Sequence, residues 1–254
     1  MNTVISTIRG IPHRRYLFYL LVPFLAECFV LAFDVYSRSD WALENVLVVV
    51  AIATLLATHR KFPLSRISYT LIFLFLAVHE IGSHYTYAQV PYDAWFRTLT
   101  GTSLNALLGW ERNNFDRIVH FSYGLLLAYP MREVYFRIAD AEGFWGYFLP
   151  LDFTMSTSML YELIEWGAAE LIGGDLGAAY LGTQGDIWDA QKDMALASCG
   201  ALISMLVTLA INLCLQKDFA REWSRSLRIK HRRPLGEDEI ARLLRQKNQN
   251  GGDR

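Results

Sequence analysis

The chain has 254 residues, of which 53% are hydrophobic, 14% aromatic and 19% charged, and its formal net charge is −1. This composition indicates apolar membrane helices joined by polar loops. A net charge near zero and the lack of any zinc-finger spacing exclude nucleic acid as an expected partner. Membrane lipids are the expected surroundings.

Six apolar segments are long enough to cross the hydrocarbon core of a bilayer. A spanning helix needs about 20 mostly apolar residues, because its backbone polar groups find no water in the membrane. The predicted spans are residues 16–33, 42–58, 67–85, 116–135, 147–171 and 190–215. We therefore predict an all-α membrane protein, built as a bundle of about six transmembrane helices.

The distribution of Lys and Arg predicts the orientation of these spans, since basic residues are retained on the cytoplasmic side. With the N-terminus inside, 19 of the 24 basic residues fall in cytoplasmic segments and five in outer ones. Both termini are therefore expected in the cytoplasm. Residues 1–216 would form the transmembrane domain, with a partly helical extracytoplasmic loop at 86–115, and residues 217–254 a basic tail.

The basic tail carries Phe219, Trp223 and Leu227 at near-helical spacing. Such a segment is expected to rest on anionic lipid headgroups. The alternative is an anchor that only fixes the orientation of the last span.

Acidic and histidine side chains cluster at one end of four predicted spans. Within each span they lie three or four residues apart, which places them on one helical face. Because the third and fifth spans end outside and the fourth and sixth begin there, all four groups are expected at the outer third of the membrane. The residues are His79, Glu80 and His84 in the third span, Asp116 and His120 in the fourth, Glu162 and Glu165 in the fifth, and Asp186, Asp189 and Asp193 around the start of the sixth.

Carboxylates and imidazoles that meet from facing helices are typical of a divalent metal site, with zinc as the first choice and a two-metal centre as a second. A metal with an open coordination position can activate water, which would suit a hydrolase or transferase acting on a lipid-linked or periplasmic substrate. The candidate metal ligands are His79, Glu80, His84, Asp116, His120, Glu162 and Asp193. The candidate catalytic carboxylates are Glu165, Asp186 and Asp189.

Structural explanations compete with the metal hypothesis. The aspartates at the start of the fourth and sixth spans could cap those helices. His79 and Glu80 could form a structural pair with Arg117. Glu162 and Glu165 are the hardest to explain in this way, because two neighbouring acids in an apolar span repel each other unless protons or cations intervene.

Two other function classes remain open. An accessory membrane protein would use the polar cluster only to hold its helices together. An ion-coupled transporter is suggested by Glu27, Glu162 and Glu165, but it needs a path through the inner half of the membrane. That half carries few polar groups beyond Glu44 and Asp152, so transport is less favoured.

Four strings carry a resemblance to a known family: HEIGSHYTYAQVPY at 79–92, NNFDRIVHFSYGLLLAYP at 113–130, YELIEW at 161–166 and GTQGDIWDAQKDM at 182–194. They resemble the YjdF-type family of bacterial inner membrane proteins, whose function is undefined. The resemblance implies an inner membrane location and a multi-pass topology.

The order of the acidic and histidine residues in the last three spans is also similar to that of the VanZ-like membrane proteins, which are linked to glycopeptide tolerance. This chain has two additional N-terminal spans relative to that pattern. It also has Glu165 where a Gln is expected.

Overall fold

The computed structural model describes residues 12–172, 183–230 and 236–251, and every regular element in them is a helix. Each predicted span falls on one of six long helices, and four shorter helices lie outside the spans. In chain order the helices are α1 (His13–Leu31), α2 (Arg38–Thr58), α3 (Arg66–His84), α4 (Tyr92–Thr100), α5 (Leu104–Leu108), α6 (Phe115–Ala139), α7 (Trp145–Ile172), α8 (Asp189–Leu215), α9 (Phe219–Ser226) and α10 (Glu237–Gly251). The all-α prediction is confirmed.

In the part of the chain that the structure describes, three helices, α2, α3 and α8, are both long enough and apolar enough to cross a membrane. The outer surface of the bundle is apolar, as Phe29 on α1 and Val49 on α2 illustrate. Charged side chains such as Glu44, Glu80 and Asp193 are instead buried. This distribution suits hydrocarbon surroundings, where ionisable groups face the interior of a bundle.

Small residues bring α6 and α8 into close contact. A Cβ atom added to Gly124 would lie 1.8 Å from the carbonyl oxygen of Ala197, and one added to Gly200 would lie 2.2 Å from that of Phe121. Close packing at small residues is a common way for membrane helices to associate. The contact places the first turns of α6 and α8 side by side, and α7 packs against both helices.

The first half of the bundle forms around α3. Both α1 and α2 pack against α3, which also packs against α6. Leu17 and Phe24 of α1 meet Tyr69 and Phe73 of α3 in an apolar core, where the rings of Phe24 and Phe73 lie edge to face at 5.6 Å. Through α3, this core holds α2 at a fixed position relative to α6.

The loop predicted to be partly helical contains α4 and α5. Asp93, at the start of α4, accepts hydrogen bonds from the backbone N–H of Asn105 and the hydroxyl of Ser103, both at 2.9 Å. These bonds, chiefly the one from Asn105, lower the pKa of the Asp93 carboxyl below its usual value. These hydrogen bonds connect the start of α4 to the start of α5 and so give the loop a defined structure.

Two aromatic side chains of the tail pack against α7. The rings of Phe219 and Trp223 of α9 are tilted against each other with their centroids 5.7 Å apart, and the Trp223 ring lies 5.9 Å from that of Tyr147 of α7. Ser226 accepts a hydrogen bond of 3.0 Å from the backbone N–H of Phe144. These side chains therefore contact the protein itself, because the connection between α6 and α7 offers them an aromatic surface.

Candidate functional site

A cavity of about 390 Å³ lies between α2, α3, α6, α7 and α8. One end is lined by carboxylates and imidazoles and the other by aliphatic and aromatic side chains. Seven of the ten predicted site residues line it: His79, Asp116, His120, Glu162, Glu165, Asp189 and Asp193. The remaining three, Glu80, His84 and Asp186, do not.

Three side chains from three different helices meet at the polar end: His120 of α6, Glu162 of α7 and Asp193 of α8. Each offers a ligand atom within 4.8 Å of the other two. The His120 Nε2 and Glu162 Oε1 atoms are 3.7 Å apart, which is too long for a hydrogen bond. Two ligands of one tetrahedral zinc ion are about 3.3 Å apart, so the spacing is close to what such an ion requires.

Two carboxylate oxygens in this group lack a hydrogen-bond partner among the residues that the structure describes. They are Glu162 Oε1 and Asp193 Oδ1. The Asp193 residue is only 4% exposed and lines the cavity. A buried carboxylate without a partner is destabilising, and a bound cation would relieve that cost.

A second group, Asp116, Asp189 and Asp193, also gathers its oxygens within 4.8 Å. Two of its members already have cationic partners. Arg112 forms ion pairs with Asp116 and, at 2.7 Å, with Asp189. An added cation would therefore stabilise this group less than it would stabilise the group that contains His120.

The opposite wall of the polar end is formed by α2 and α3. The hydroxyl of Tyr87 lies 2.7 Å from His79 Nδ1, and the His79 Nε2 atom lies 3.4 Å from the backbone oxygen of Glu44. Glu44 Oε2 accepts hydrogen bonds from Tyr87 at 3.4 Å and from Tyr161 of α7 at 3.3 Å. This network connects the α2–α3 half of the bundle to α7.

Glu44 and Asp40, both buried in the first turns of α2, line the cavity and were missed by the sequence reasoning. The sequence reasoning placed Glu44 in the half of the membrane opposite to the cluster, whereas the structure places it beside His79, at the same end of the bundle. The backbone N–H of Tyr36 donates to the carbonyl of His84 at 3.1 Å, so α2 begins where α3 ends. The second span is predicted to begin at the outer side, so Glu44, which lies near its start, could have been assigned to the same end as the cluster.

Comparison with known proteins identifies the chain at the level of its family. The model of a family of predicted membrane proteins, DUF2238, matches residues 16–213. The chain belongs to this family. The inner membrane protein YjdF of Escherichia coli (strain K12) is 38% identical over 172 residues, which cover 67% of this chain and 78% of that protein. No solved structure matches this chain.

The resemblance to the YjdF-type family is thus confirmed, and this DUF2238 protein is a multi-pass protein of the inner membrane. The matched range includes every residue that lines the cavity. The cavity therefore lies in the part of the chain that defines the family.

Asp186 lies in the turn before α8, outside the cavity. It pairs with Arg117 and Lys192, each at 2.5 Å, and accepts a hydrogen bond from the backbone N–H of Trp188. These partners, with Lys192 the strongest, lower the pKa of Asp186 below its usual value. Asp186 therefore stabilises the start of α8. Arg117, which was considered as a structural partner of His79 and Glu80, pairs instead with Asp186 and Asp189.

Glu80 and His84 point away from the cavity. Glu80 is fully buried and lies near Cys28 of α1. The Nδ1 atom of His84 lies 2.8 Å from the backbone oxygen of Leu31, at the end of α1. Both residues contribute to the contact between α1 and α3, so the structure does not bring them to the other candidate ligands.

Proposed function

We propose that this protein binds a divalent metal between His120, Glu162 and Asp193, with zinc as the first choice, and uses it for hydrolysis or group transfer on a lipid-linked or periplasmic substrate. One observation supports this above all others. An imidazole nitrogen and two carboxylate oxygens converge from three helices, and both oxygens lack a hydrogen-bond donor in the described part of the chain.

The chemical roles follow from the positions of the side chains. A bound metal with an open position makes a coordinated water more acidic or polarises a substrate oxygen. Glu165 lies on the cavity wall one turn from Glu162, so it is the candidate proton acceptor. Asp189 is held by Arg112 and Arg117, which suits a positioning role. Of the three predicted catalytic carboxylates, Glu165 is the one we retain.

We further propose that all six long helices cross the inner membrane and that both termini are cytoplasmic. The six helices are 19 to 28 residues long, and a 19-residue helix spans about 28 Å. The orientation is supported by the 19 of 24 basic residues that it places on the cytoplasmic side. In this orientation the polar end of the cavity lies toward the periplasm.

Elemental analysis of the purified protein tests the metal site. The wild type should carry about one divalent metal per chain. His120→Gln and Glu162→Gln should each weaken metal binding by at least about 100-fold, more than the loss of a group that only supports a ligand.

The matched control is His84→Gln, because His84 lies near the same end of the bundle but outside the cavity. It should retain wild-type metal content. A wild-type protein without metal, or a His84→Gln protein as depleted as His120→Gln, would contradict the proposal.

A structural role for the cluster is the second candidate. It is favoured by Arg112 and Arg117, which connect the start of α6 to α8 through Asp189. In that case the double change of Glu162→Gln and Glu165→Gln should lower the free energy of unfolding. Its only cellular phenotype should then be loss of the protein.

A further inference from the structure

We infer that the substrate is a long-chain lipid amphiphile: its head group meets the polar end of the cavity, and its aliphatic chain lies in the apolar end and leaves between α2 and α7. This inference rests on the proposed function only where the head group is concerned, since a head-group oxygen would bind the metal. The inference that the aliphatic chain of the lipid lies in the apolar end depends on the shape and lining of the cavity alone.

The apolar end of the cavity extends well away from the polar groups. Its wall includes Leu47 and Ala51 of α2, Ile72 of α3 and Leu127 of α6. Leu127 lies seven residues after His120 on α6, which corresponds to about 10 Å along the helix axis. The cavity is therefore elongated along the helices, with carboxylates at one end and mainly hydrocarbon side chains at the other, and Thr157 and Ser158 of α7 add two hydroxyl groups to its wall.

The cavity opens sideways between α2 and α7. Leu47 lines the cavity and yet is 49% exposed, so the wall is incomplete at this position. The helices on either side pack in different halves of the bundle: α2 packs against α3, whereas α7 packs against α6 and α8. At the polar end the gap is crossed by the hydrogen bond of 3.3 Å from Tyr161 to Glu44.

The position of the opening identifies the kind of molecule that reaches it. α2 is one of the helices apolar enough to span the membrane, and its neighbouring residues Val46 and Val50 are exposed. The opening therefore faces hydrocarbon, where the available ligands are lipid chains. A fully soluble substrate would gain nothing from an apolar compartment that opens in this direction.

The charge of the polar end constrains the head group. Acidic side chains dominate this end, and Arg112 and Arg117 are engaged with aspartates. An anionic head group would be repelled by this wall unless a cation lay between them. The head group is therefore expected to bind through the metal, by a phosphate or ester oxygen.

Photocrosslinking with a defined probe tests the inference. The full-length protein in detergent is exposed to hexadecyl phosphate that carries a diazirine near the middle of its chain, and the labelled residues are mapped by mass spectrometry. Residues of the apolar wall, such as Leu47 and Leu127, should be labelled at least about tenfold more than the lipid-facing Val49, which serves as the internal reference.

Variants that fill the apolar end of the cavity show whether the labelling depends on the aliphatic chain of the probe lying there. Ala51→Trp and, at the opening, Leu47→Trp should each remove at least about nine-tenths of the wall labelling, whereas Val50→Trp on the exposed face of α2 should leave it unchanged. Metal content, measured in parallel, should equal that of the wild type in all three and also shows that each variant is folded.

The possible failures are distinguishable. Suppose that the protein binds metal, but the wall residues are labelled no more than Val49 or their labelling is unaffected by both filling variants. Such a result would contradict the amphiphile as the substrate without contradicting the metal site. A protein without metal whose wall labelling still depends on Ala51 and Leu47 would overturn the proposed function and support the chain-binding compartment.

Discussion

Replacing Gly124 with Ala should separate α6 from α8 and damage both stability and the metal site. The added Cβ atom would meet backbone atoms, the carbonyl oxygen of Ala197 at 1.8 Å and the N atom of Ala201 at 2.6 Å, which cannot rotate away. The helices must move apart by about 1.2 Å before the shorter contact reaches 3.0 Å. Overpacking of this kind typically costs about 1–3 kcal/mol.

We expect a loss of about 2 kcal/mol in the free energy of unfolding, which is roughly a 30-fold change in the unfolding equilibrium. The same displacement acts on the ligands, since His120 lies one turn from Gly124 and Asp193 one turn from Ala197. Their ligand atoms, now within 4.8 Å, would separate and metal affinity would fall with stability.

Unfolding of the purified protein in detergent, followed by intrinsic fluorescence against SDS concentration, measures this effect. Gly167→Ala is the matched control, because a Cβ atom at that position of α7 would meet nothing within 4 Å. That change should be neutral or stabilising by up to about 1 kcal/mol, the difference in helix propensity between Gly and Ala. Equal unfolding midpoints for Gly124→Ala and Gly167→Ala would refute the close-packing argument.

Three further outcomes are expected. Arg112→Gln leaves Asp116 and Asp189 without their shared cation, so it should cost about 3 kcal/mol in denaturant unfolding, and a wild-type midpoint would contradict the ion-pair network. The contacts of ionised Asp186, chiefly with Lys192, lower its pKa and therefore stabilise the fold above about pH 4. The stability advantage of the wild type over Asp186→Asn should disappear as the pH falls below about 4. An advantage that did not depend on pH would contradict this role of Asp186. A reporter that works only in the cytoplasm should be active when it is fused to the C-terminus, and one that works only in the periplasm should be inactive there. The opposite result would reverse the orientation.

Hydropathy predicted the long helices, and the direction of each helix predicted which polar groups share an end. His120, Glu162 and Asp193 meet for this reason, although they lie on three separate segments of the sequence. The prediction needed only the alternation of direction from one span to the next and the spacing of the residues within each helix.

The sequence could not decide which neighbours on a helix face the cavity. Successive residues point about 100° apart, so His79 and Glu80 cannot both face it. The contacts of α3 with α1 on one side and α6 on the other settle which one does, and those contacts depend on the folded bundle. The pairing of Arg112 with Asp189 was not predicted, because Arg112 lies in the loop before α6, whose position does not follow from the directions of the spans.

The contact made by α9 bears on how the molecule assembles. Glu222 and Ser226 accept hydrogen bonds from the backbone N–H groups of Gly143 and Phe144, at 2.9 and 3.0 Å, in the connection between α6 and α7. Since these acceptors are translated after the last long helix, that connection gains its partners only after α8 has been synthesised. A chain that ended at residue 216 would contain all six long helices and yet leave both donors unpaired.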